Sequence, residues 1–457
     1  MARIKIIGAG LAGSECAFQL AQRGHKVDLF EMRPVKMTPA HQTSNLAELV
    51  CSNSFRSSAI TNAVGLLKRE MQILGSLVVR CAEEARVPAG DAFAVDRERF
   101  SAAVTRTVEQ KVTIYRNELT SLYYDGYDHL VVATGPLTSH PLFETINDFL
   151  GRDGLYFYDA IAPILAAESL DFSKLYWKSR YDKGSGVDYL NAPMDREQYE
   201  AFVQALLSAE LYPLHEFEKA VHFEGCLPIE EIASRGIDTL RFGPMKPVGL
   251  EHPVTGERPY AVVQLRKEDL SDEYFNIVGF QTKMKIPEQK RVIQMIPGLE
   301  DCVFARYGSM HRNTFINGPK HLRPTFQTKR DPRISFAGQI TGVEGYVESA
   351  AVGLLVARYI DDPTPLPYHT ALGALGRHVA ESNPERYQPS NVTWALIEDV
   401  IGNVRKSEKR ERQVERAIAT VERLAHQDVI PSVSEGTGWV GSDSVPPMRP
   451  GPSLRSG

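Results

Sequence analysis

The sequence predicts an α/β protein: a parallel sheet begun at the N-terminus, a smaller inserted α+β domain, and a return to the first sheet near the C-terminus. Three observations carry this. Ile4 to Ile7 is an apolar run that feeds straight into Gly8-Ala-Gly10-Leu11-Ala12-Gly13, with a second apolar run ending on Glu31. From about Tyr189 to about Pro319, prolines, aromatics and short helical patterns replace the strand–helix alternation. Then Ile334-Ser-Phe-Ala-Gly338-Gln339-Ile-Thr341-Gly342-Val-Glu-Gly345-Tyr346 again delivers an apolar strand into glycines, and helical spacing follows over 347–360.

The first element is the most specific. A Gly-x-Gly-x-x-Gly turn between strand and helix (Ser14 to Arg23) uses its glycines for a tight bend, for close backbone approach to a pyrophosphate and for helix–strand packing. The amide N–H groups at the helix start carry partial positive charge and meet the phosphates. Glu31 closes the second strand, placed to accept from ribose hydroxyls, so the unit reads as Rossmann-like and dinucleotide-binding. The same pattern recurs as Gly436-Thr-Gly438-Trp-Val-Gly441, but no apolar strand precedes it and no helical pattern follows. That copy is coincidence in a flexible tail.

Next come a polar loop over Thr38 to Thr43 and an apolar–polar segment over Leu46 to Leu49. Residues 63–85 show helical spacing, and Asp96 caps another helix. Strands are expected over 113–115, 119–124 and 130–133, the last running into Ala133-Thr134-Gly135-Pro136. Glu408 to Leu424 reads as a charged helix, and the residues after Ile430 as a Gly/Pro/Ser-rich disordered tail. The expected organisation is a discontinuous nucleotide-binding domain over 1–188 and 320–429, an inserted substrate-side domain over 189–319 and the tail over 430–457.

The cofactor follows from the spacing. A fingerprint at the N-terminus, a second small-residue turn at Ala133-Thr134-Gly135 and a third glycine loop some 200 residues later suit FAD, whose long body needs a separate place for its ring. Expected cofactor contacts are Gly8, Gly10, Leu11, Ala12, Gly13, Glu31, Ala133, Thr134, Gly135, Gly338, Gln339, Thr341, Gly342, Gly345 and Tyr346. No second framed fingerprint exists, so a nicotinamide would visit rather than own a domain.

At 457 residues, two or three domains are expected. Hydrophobic content of 43% and charged content of 24% fit a soluble globular protein, and no apolar run approaches the roughly 20 residues of a membrane span. There is no secretory leader pattern. Five scattered cysteines without a CxxC pair argue against a disulfide framework or zinc site and for a reduced, cytoplasmic protein. The net charge of −5 speaks weakly against nucleic acid, yet residues 281–330 hold ten basic residues against three acidic ones. Phe304, Tyr307, Phe315 and Phe326 interleave with those charges, as on a surface that grips phosphates and stacks bases. A solvated charged face beside core aromatics explains them equally.

Cys16, Cys81 and Cys302 read as small buried hydrophobes. Cys51 is followed at once by Ser52, Asn53 and Ser54. Cys226 precedes Pro228 and Glu230-Glu231, the head of a helix, where a thiolate gains from the dipole. Both are candidate reactive thiols, with burial as the plain alternative.

These motifs together bring a family into view. Gly8 to Glu15, Glu31-Met-Arg-Pro34, Thr38-Pro-Ala-His41, Ala47 to Ser54, Phe223-Glu-Gly-Cys226-Leu-Pro228, Arg241 to Pro247, Val278 to Lys283, Gly308 to Thr314 and Gly338 to Tyr346 occur in order. In them the chain, over about residues 1–425, resembles the bacterial folate- and FAD-dependent tRNA (uracil-5-)-methyltransferases, the TrmFO family. The resemblance implies 5-methyluridine formation in the T-loop of tRNA, with 5,10-methylenetetrahydrofolate as carbon donor, reduced FAD as electron source and NADPH or NADH as reductant. It implies Cys226 as the nucleophile that adds to uracil C6, and Cys51 as the base that takes the C5 proton. RNA contacts are expected from Arg241, Lys283, Lys285, Arg306 and Arg312. No membrane and no obligatory protein partner are implied. The family's chemistry on ribosomal RNA is the near alternative.

Other classes fit less well. A larger wobble-uridine flavoprotein would bring a C-terminal helical domain that this length does not allow. A disulfide reductase needs a cysteine pair, and an amine oxidase needs neither Cys226 nor the basic segment. A non-catalytic flavin-bearing RNA-binding protein would bind tRNA without forming product.

Overall fold

A computed structural model describes residues 1–152, 154–212, 227–400, 405 and 408–429. The chain opens with β1 (Arg3–Ile7), α1 (Leu11–Gln22) and β2 (Lys26–Glu31). There follow β3 (Ser54–Ser57), α2 (Ala63–Ile73), α3 (Leu77–Glu84), β4 (Arg86–Val87), β5 (Ala92–Val95), α4 (Arg97–Glu109), β6 (Thr113–Arg116), β7 (His129–Val132) and α5 (His140–Leu150). A long strand, β8 (Gly154–Ile161), leads away to β9 (Ile164–Ala166), β10 (Tyr176–Trp177), β11 (Tyr189–Met194), α6 (Arg196–Leu207), α7 (Ile229–Ala233), α8 (Thr239–Phe242), β12 (Ala261–Lys267), β13 (Tyr274–Ile277), α9 (Ile286–Ile293) and β14 (Phe304–Arg306). The chain returns through β15 (Ser309–Ile316) to α10 (Gly318–His321), β16 (Ile334–Phe336), α11 (Tyr346–Asp361), α12 (Ala371–Glu381) and α13 (Lys409–Val429).

The first sheet is parallel throughout, in the order β16-β7-β1-β2-β6. Ile4, Ile6, Leu130 and Val131 have no exposed surface, as strands covered on both faces require. The second sheet is antiparallel, ordered β10-β11-β12-β13-β9-β14, and has its own core from Leu165 to Phe304. The two are joined by the antiparallel β8–β15 ribbon, which runs in register from Gly154↔Ile316 to Ile161↔Ser309. So the predicted discontinuous α/β domain with an inserted α+β domain is what forms. Helix α11 approaches α1 so closely that a Cβ on Gly353 would lie 2.2 Å from the Ala12 carbonyl oxygen. This contact brings the late glycine loop beside the N-terminal one.

Four local expectations need correction. The helix after the first glycine turn starts at Leu11, not Ser14. The helical spacing over 63–85 belongs to two helices, because Gly75 turns at φ +74° and Ser76 caps α3 by accepting from the Val79 amide at 3.2 Å. The buried Glu15 carboxylate fixes the break by accepting from the Leu77 and Val78 amides at 3.1 and 2.8 Å. No strand forms over 119–124: Leu119, Leu122 and Tyr124 pack against the core as half-buried side chains, while β6 ends the sheet order. Finally, the expected boundary at 189 falls between β10 and β11, which are paired, and β9 also belongs to the second sheet. Strands of two and three residues are too short to alternate visibly.

Asp96 caps α4 as expected, accepting from the Arg99 amide at 3.0 Å. Among the described residues no helix is long and apolar enough to cross a membrane. The tail beyond residue 429 lies outside the described residues.

Candidate cofactor and thiol site

The glycine turn is built as its spacing requires. Gly8 sits at φ +96°, and a Cβ there would lie 2.6 Å from the Ala133 carbonyl oxygen; one on Gly13 would lie 1.8 Å from that of Gly8. At Gly10 and Gly135, by contrast, an added Cβ meets nothing within 4 Å. These two glycines border open space. A cavity of about 560 Å³ opens there, lined by Gly8, Gly10, Glu31, Arg33, His41 and Thr134 among others. The amides of Leu11, Ala12 and Gly13 head α1, where a helix has N–H groups without intrahelical acceptors. Open space at two glycines, a helix start and an acid suit the adenosine-diphosphate half of FAD.

Glu31 is already engaged. One carboxylate oxygen accepts from the Ala9 amide at 2.9 Å, and the other from the Arg33 amide and Nε at 3.1 and 2.9 Å. Burial works to raise its pKa, but Arg33 and these donors outweigh it and hold the carboxyl below its ordinary value. It therefore stays an ionised acceptor on the wall of the cavity. Glu48 in turn binds Arg33 and the Gln42 and Thr43 amides, which staples the 38–48 loop over the site.

Leu137 lines this cavity and also a second one of about 1050 Å³. Around the second lie Cys51, Arg56, Gln339, Gly345, Tyr346 and Asn391. The expected late loop thus lines a cavity that neighbours the early one and shares Leu137 with it. Gln339 donates to Glu344 at 2.6 Å and presents itself to the cavity. Thr341 does not: it is fully buried and its hydroxyl donates to the Gly338 carbonyl at 2.8 Å, holding the loop's shape.

Cys51 is held from three sides. The Tyr346 hydroxyl accepts from the Cys51 and Ser52 amides at 2.7 and 3.1 Å. Arg97 donates to the carbonyl oxygens of Leu49 and Cys51 at 2.9 and 3.2 Å. The thiol lies 4.0 Å from the Ala160 carbonyl oxygen, at the end of β8. Burial pushes the Tyr346 phenol well above its ordinary value, so it remains a neutral clamp.

Cys226 lies outside the described residues. The helix after it, α7, has five residues, and its two first-turn acids are engaged: Glu230 accepts from the Lys283 amide at 2.6 Å and Glu231 pairs with the Lys283 ammonium. Lys283 is accordingly only 7% exposed. Arg241 stacks on Tyr260 with its guanidinium 3.5 Å from the ring centroid and pairs with Asp238. Lys285 is half exposed beside Glu210 at 2.8 Å. Arg306 donates to the Ala40 carbonyl at 3.2 Å and lines a cleft of about 1440 Å³ with Arg97 and Glu268. The side chain of Arg312 lies outside the described residues.

Sequence reasoning missed the charges that hold the thiol loop. Arg97 merely follows the capping Asp96 in the sequence, yet its Nε donates to Glu268 at 2.5 Å from across the molecule. Arg56 pairs with Glu348, whose side chain is wholly buried and also accepts from the Val392 amide at 2.8 Å. Arg56 was within reach of a sequence reading, since it lies two residues after the Ala47 to Ser54 stretch that holds Cys51.

Comparison with known proteins gives the chain's family. The family model described as glucose inhibited division protein A matches residues 3–362. The proteins named methylenetetrahydrofolate--tRNA-(uracil-5-)-methyltransferase TrmFO from Heliobacterium modesticaldum and Geobacter sulfurreducens are 52% and 55% identical, covering 93% and 92% of this chain and 99% and 98% of their own. That of Bacillus subtilis is 51% identical over 92% of this chain and 98% of its own. The solved structure of Aquifex aeolicus GidA shares the fold, with a TM-score of 0.67 at 15% identity over 94% of this chain and 74% of that one.

Proposed function

The chain belongs to the glucose inhibited division protein A family, as one of its TrmFO-like members, and on that premise we propose that it is an FAD-dependent methyltransferase that forms 5-methyluridine in the T-loop of tRNA. 5,10-Methylenetetrahydrofolate is the proposed carbon donor and NADPH or NADH the reductant. The observation that supports the reading is that the cavity at Cys51 and the cavity at the glycine cradle are neighbours that share Leu137 in their linings.

When bound, reduced FAD supplies the electron pair that converts the transferred one-carbon unit into a methyl group. The chain supplies the rest. Uracil C5 is a poor nucleophile until a thiolate adds to C6; Cys226 is the proposed donor of that C–S bond. With the carbon attached, the C5 proton must leave, and the Sγ of Cys51 is the proposed acceptor. Loss of that proton expels the folate nitrogen from the attached carbon, and the electron pair delivered to that carbon then restores the C5–C6 double bond and expels the Cys226 sulfur. Tyr346 and Arg97 fix the Cys51 backbone on both sides of its Cα, through its N–H and its C=O, so the residue is positioned before substrate arrives. Lys285 and Arg306, with Arg241, Lys283 and Arg312 as supporting positions, are the proposed RNA side.

The test is to incubate the protein with unmodified tRNA, methylenetetrahydrofolate and NADPH and to analyse nucleosides by mass spectrometry, beside Cys226→Ala. Product with the wild type alone supports both the reaction and the nucleophile. Product with both proteins removes Cys226 from its role. Modified ribosomal RNA with unmodified tRNA moves the target. A flavin-loaded protein that binds tRNA and modifies neither RNA overturns the enzyme reading.

A further inference from the structure

A cavity of about 690 Å³ lies where the β3–β5 sheet meets β11 and β12, outside the thiol site. Arg56, Ser57, Asp91, Arg180, Lys183 and Gln264 are among its lining. We propose that it is an anion subsite that takes the spaced carboxylates of a co-substrate tail whose ring occupies the Cys51 cavity. The assignment rests on the methyltransferase reading, in which that co-substrate is a folate bearing γ-linked glutamates.

Continuity comes first. Arg56 lines this cavity and the Cys51 cavity alike, so a ring in one can extend a tail past the guanidinium into the other. Arg56 is held at that junction in the left-handed region, at φ +61°, a conformation a non-glycine residue keeps only when its surroundings impose it. Its amide donates to the Ser54 hydroxyl at 3.0 Å and its guanidinium pairs with the buried Glu348.

Charge comes second. Arg180 donates to the Lys246 carbonyl at 2.8 Å, to the Val248 carbonyl and to Gln264 Oε1 at 3.2 Å, all neutral acceptors. Among the described residues no carboxylate pairs with it; Glu251, close enough to be felt, is committed to Arg258 at 3.0 Å. A partly buried guanidinium with neutral acceptors only has charge to offer an incoming anion. Burial draws its pKa down, as an uncompensated cation requires. Lys183 adds a second, more exposed cation, shared with Asp91.

The donor type chooses between anions. A diphosphate is gripped by converging backbone amides, often at a helix start. Here the Gly90 amide bordering the cavity is already given to Asp188 at 2.7 Å. Separate side-chain cations from different segments match carboxylates spread along a flexible tail.

The experiment titrates tetrahydrofolate carrying one or three glutamates into the FAD-loaded full-length protein, with flavin absorbance as the readout. Triglutamate should bind about five- to tenfold tighter, the gain of one or two charge-assisted contacts at a partly solvated site. Lys183→Glu and Arg180→Gln should erase that advantage and leave the monoglutamate Kd and the KM for NADPH unchanged. Lys183 is surface-exposed, so its variant stays informative if the Arg180 variant folds poorly. No advantage in the wild type, or one that survives Lys183→Glu, overturns the subsite. A rise in the KM for NADPH or for tRNA in place of the glutamate effect assigns the cavity to phosphates and overturns it too. If neither folate binds, the methyltransferase reading falls with it; if both bind equally and 5-methyluridine still forms, only the subsite falls.

Discussion

Arg97 Nε donates to a Glu268 carboxylate oxygen at 2.5 Å across the boundary between the two sheets, while its other nitrogens hold the carbonyls of Leu49 and Cys51. Asn53 repeats the link two residues on, donating to the Lys267 carbonyl at 3.0 Å. The inserted domain therefore sets the position of the thiol loop. Arg97→Met leaves a 5%-exposed Glu268 without its cation, and breaking such a buried pair costs about 3–5 kcal/mol. We expect a lowered Tm and a turnover loss with flavin content retained. Calorimetry beside single-turnover kinetics checks this, and a variant with unchanged turnover refutes the positioning role.

Tyr346→Phe removes the one oxygen that accepts from both the Cys51 and Ser52 amides. Leaving buried donors unmet costs about 1–3 kcal/mol, so methyl transfer should slow by about ten- to a hundredfold if that penalty falls on the poised state. FAD should still bind, because the glycine cradle at Gly8–Gly13 and Glu31 is untouched and the aromatic ring at 346 is kept. Flavin stoichiometry measured alongside the rate separates the two effects.

Gly10→Val tests the cradle without disturbing the fold. A Cβ there meets no protein atom within 4 Å and Gly10 lies at φ −71°, an ordinary angle for valine. The variant should melt like the cofactor-free wild type yet purify colourless. Gly8→Ala, which drives a Cβ to 2.6 Å from the Ala133 carbonyl oxygen, should instead destabilise the protein itself.

Asp331 supplies a pH dependence. Above all the Arg333 side chain, and also the Tyr124 hydroxyl, which donates at 2.5 Å, hold its carboxyl down at about 2. The folded value lies below the unfolded one, so the stabilisation is complete above about pH 4 and is lost as pH falls through about 2. In this largely solvated setting it amounts to about 1 kcal/mol. Asp331→Asn should cost that much at neutral pH, and the gap to wild type should close in acid, as urea midpoints at pH 7, 4 and 2.5 will show.

Much of this was legible because it is local. The Gly8–Gly13 turn, the Asp96 cap and the small-residue turn at Gly135 are each fixed by residues within one turn of chain. The false strand over 119–124 shows the limit: Tyr124 is anchored through its hydroxyl to Asp331, so its apolar alternation reflects packing without pairing. The break at Gly75-Ser76 was present in the sequence as a turn residue and a cap, but its decisive partner, Glu15, is some sixty residues away. Arg97 and Glu268 are farther apart still, and no periodicity announces a pair that exists only after two sheets meet. Burial of charge is a tertiary property, and it is what assembles the thiol loop.

The β8–β15 ribbon has a consequence for how such a molecule can change over generations. Its outbound and returning strands lie side by side from Gly154↔Ile316 to Ile161↔Ser309, so the chain between Ile161 and Ser309 leaves and re-enters at two adjacent points. Lineages could exchange, enlarge or reshape that appendage, and with it the choice of macromolecule presented to the cofactor, while the nucleotide cradle keeps its ancestral wiring.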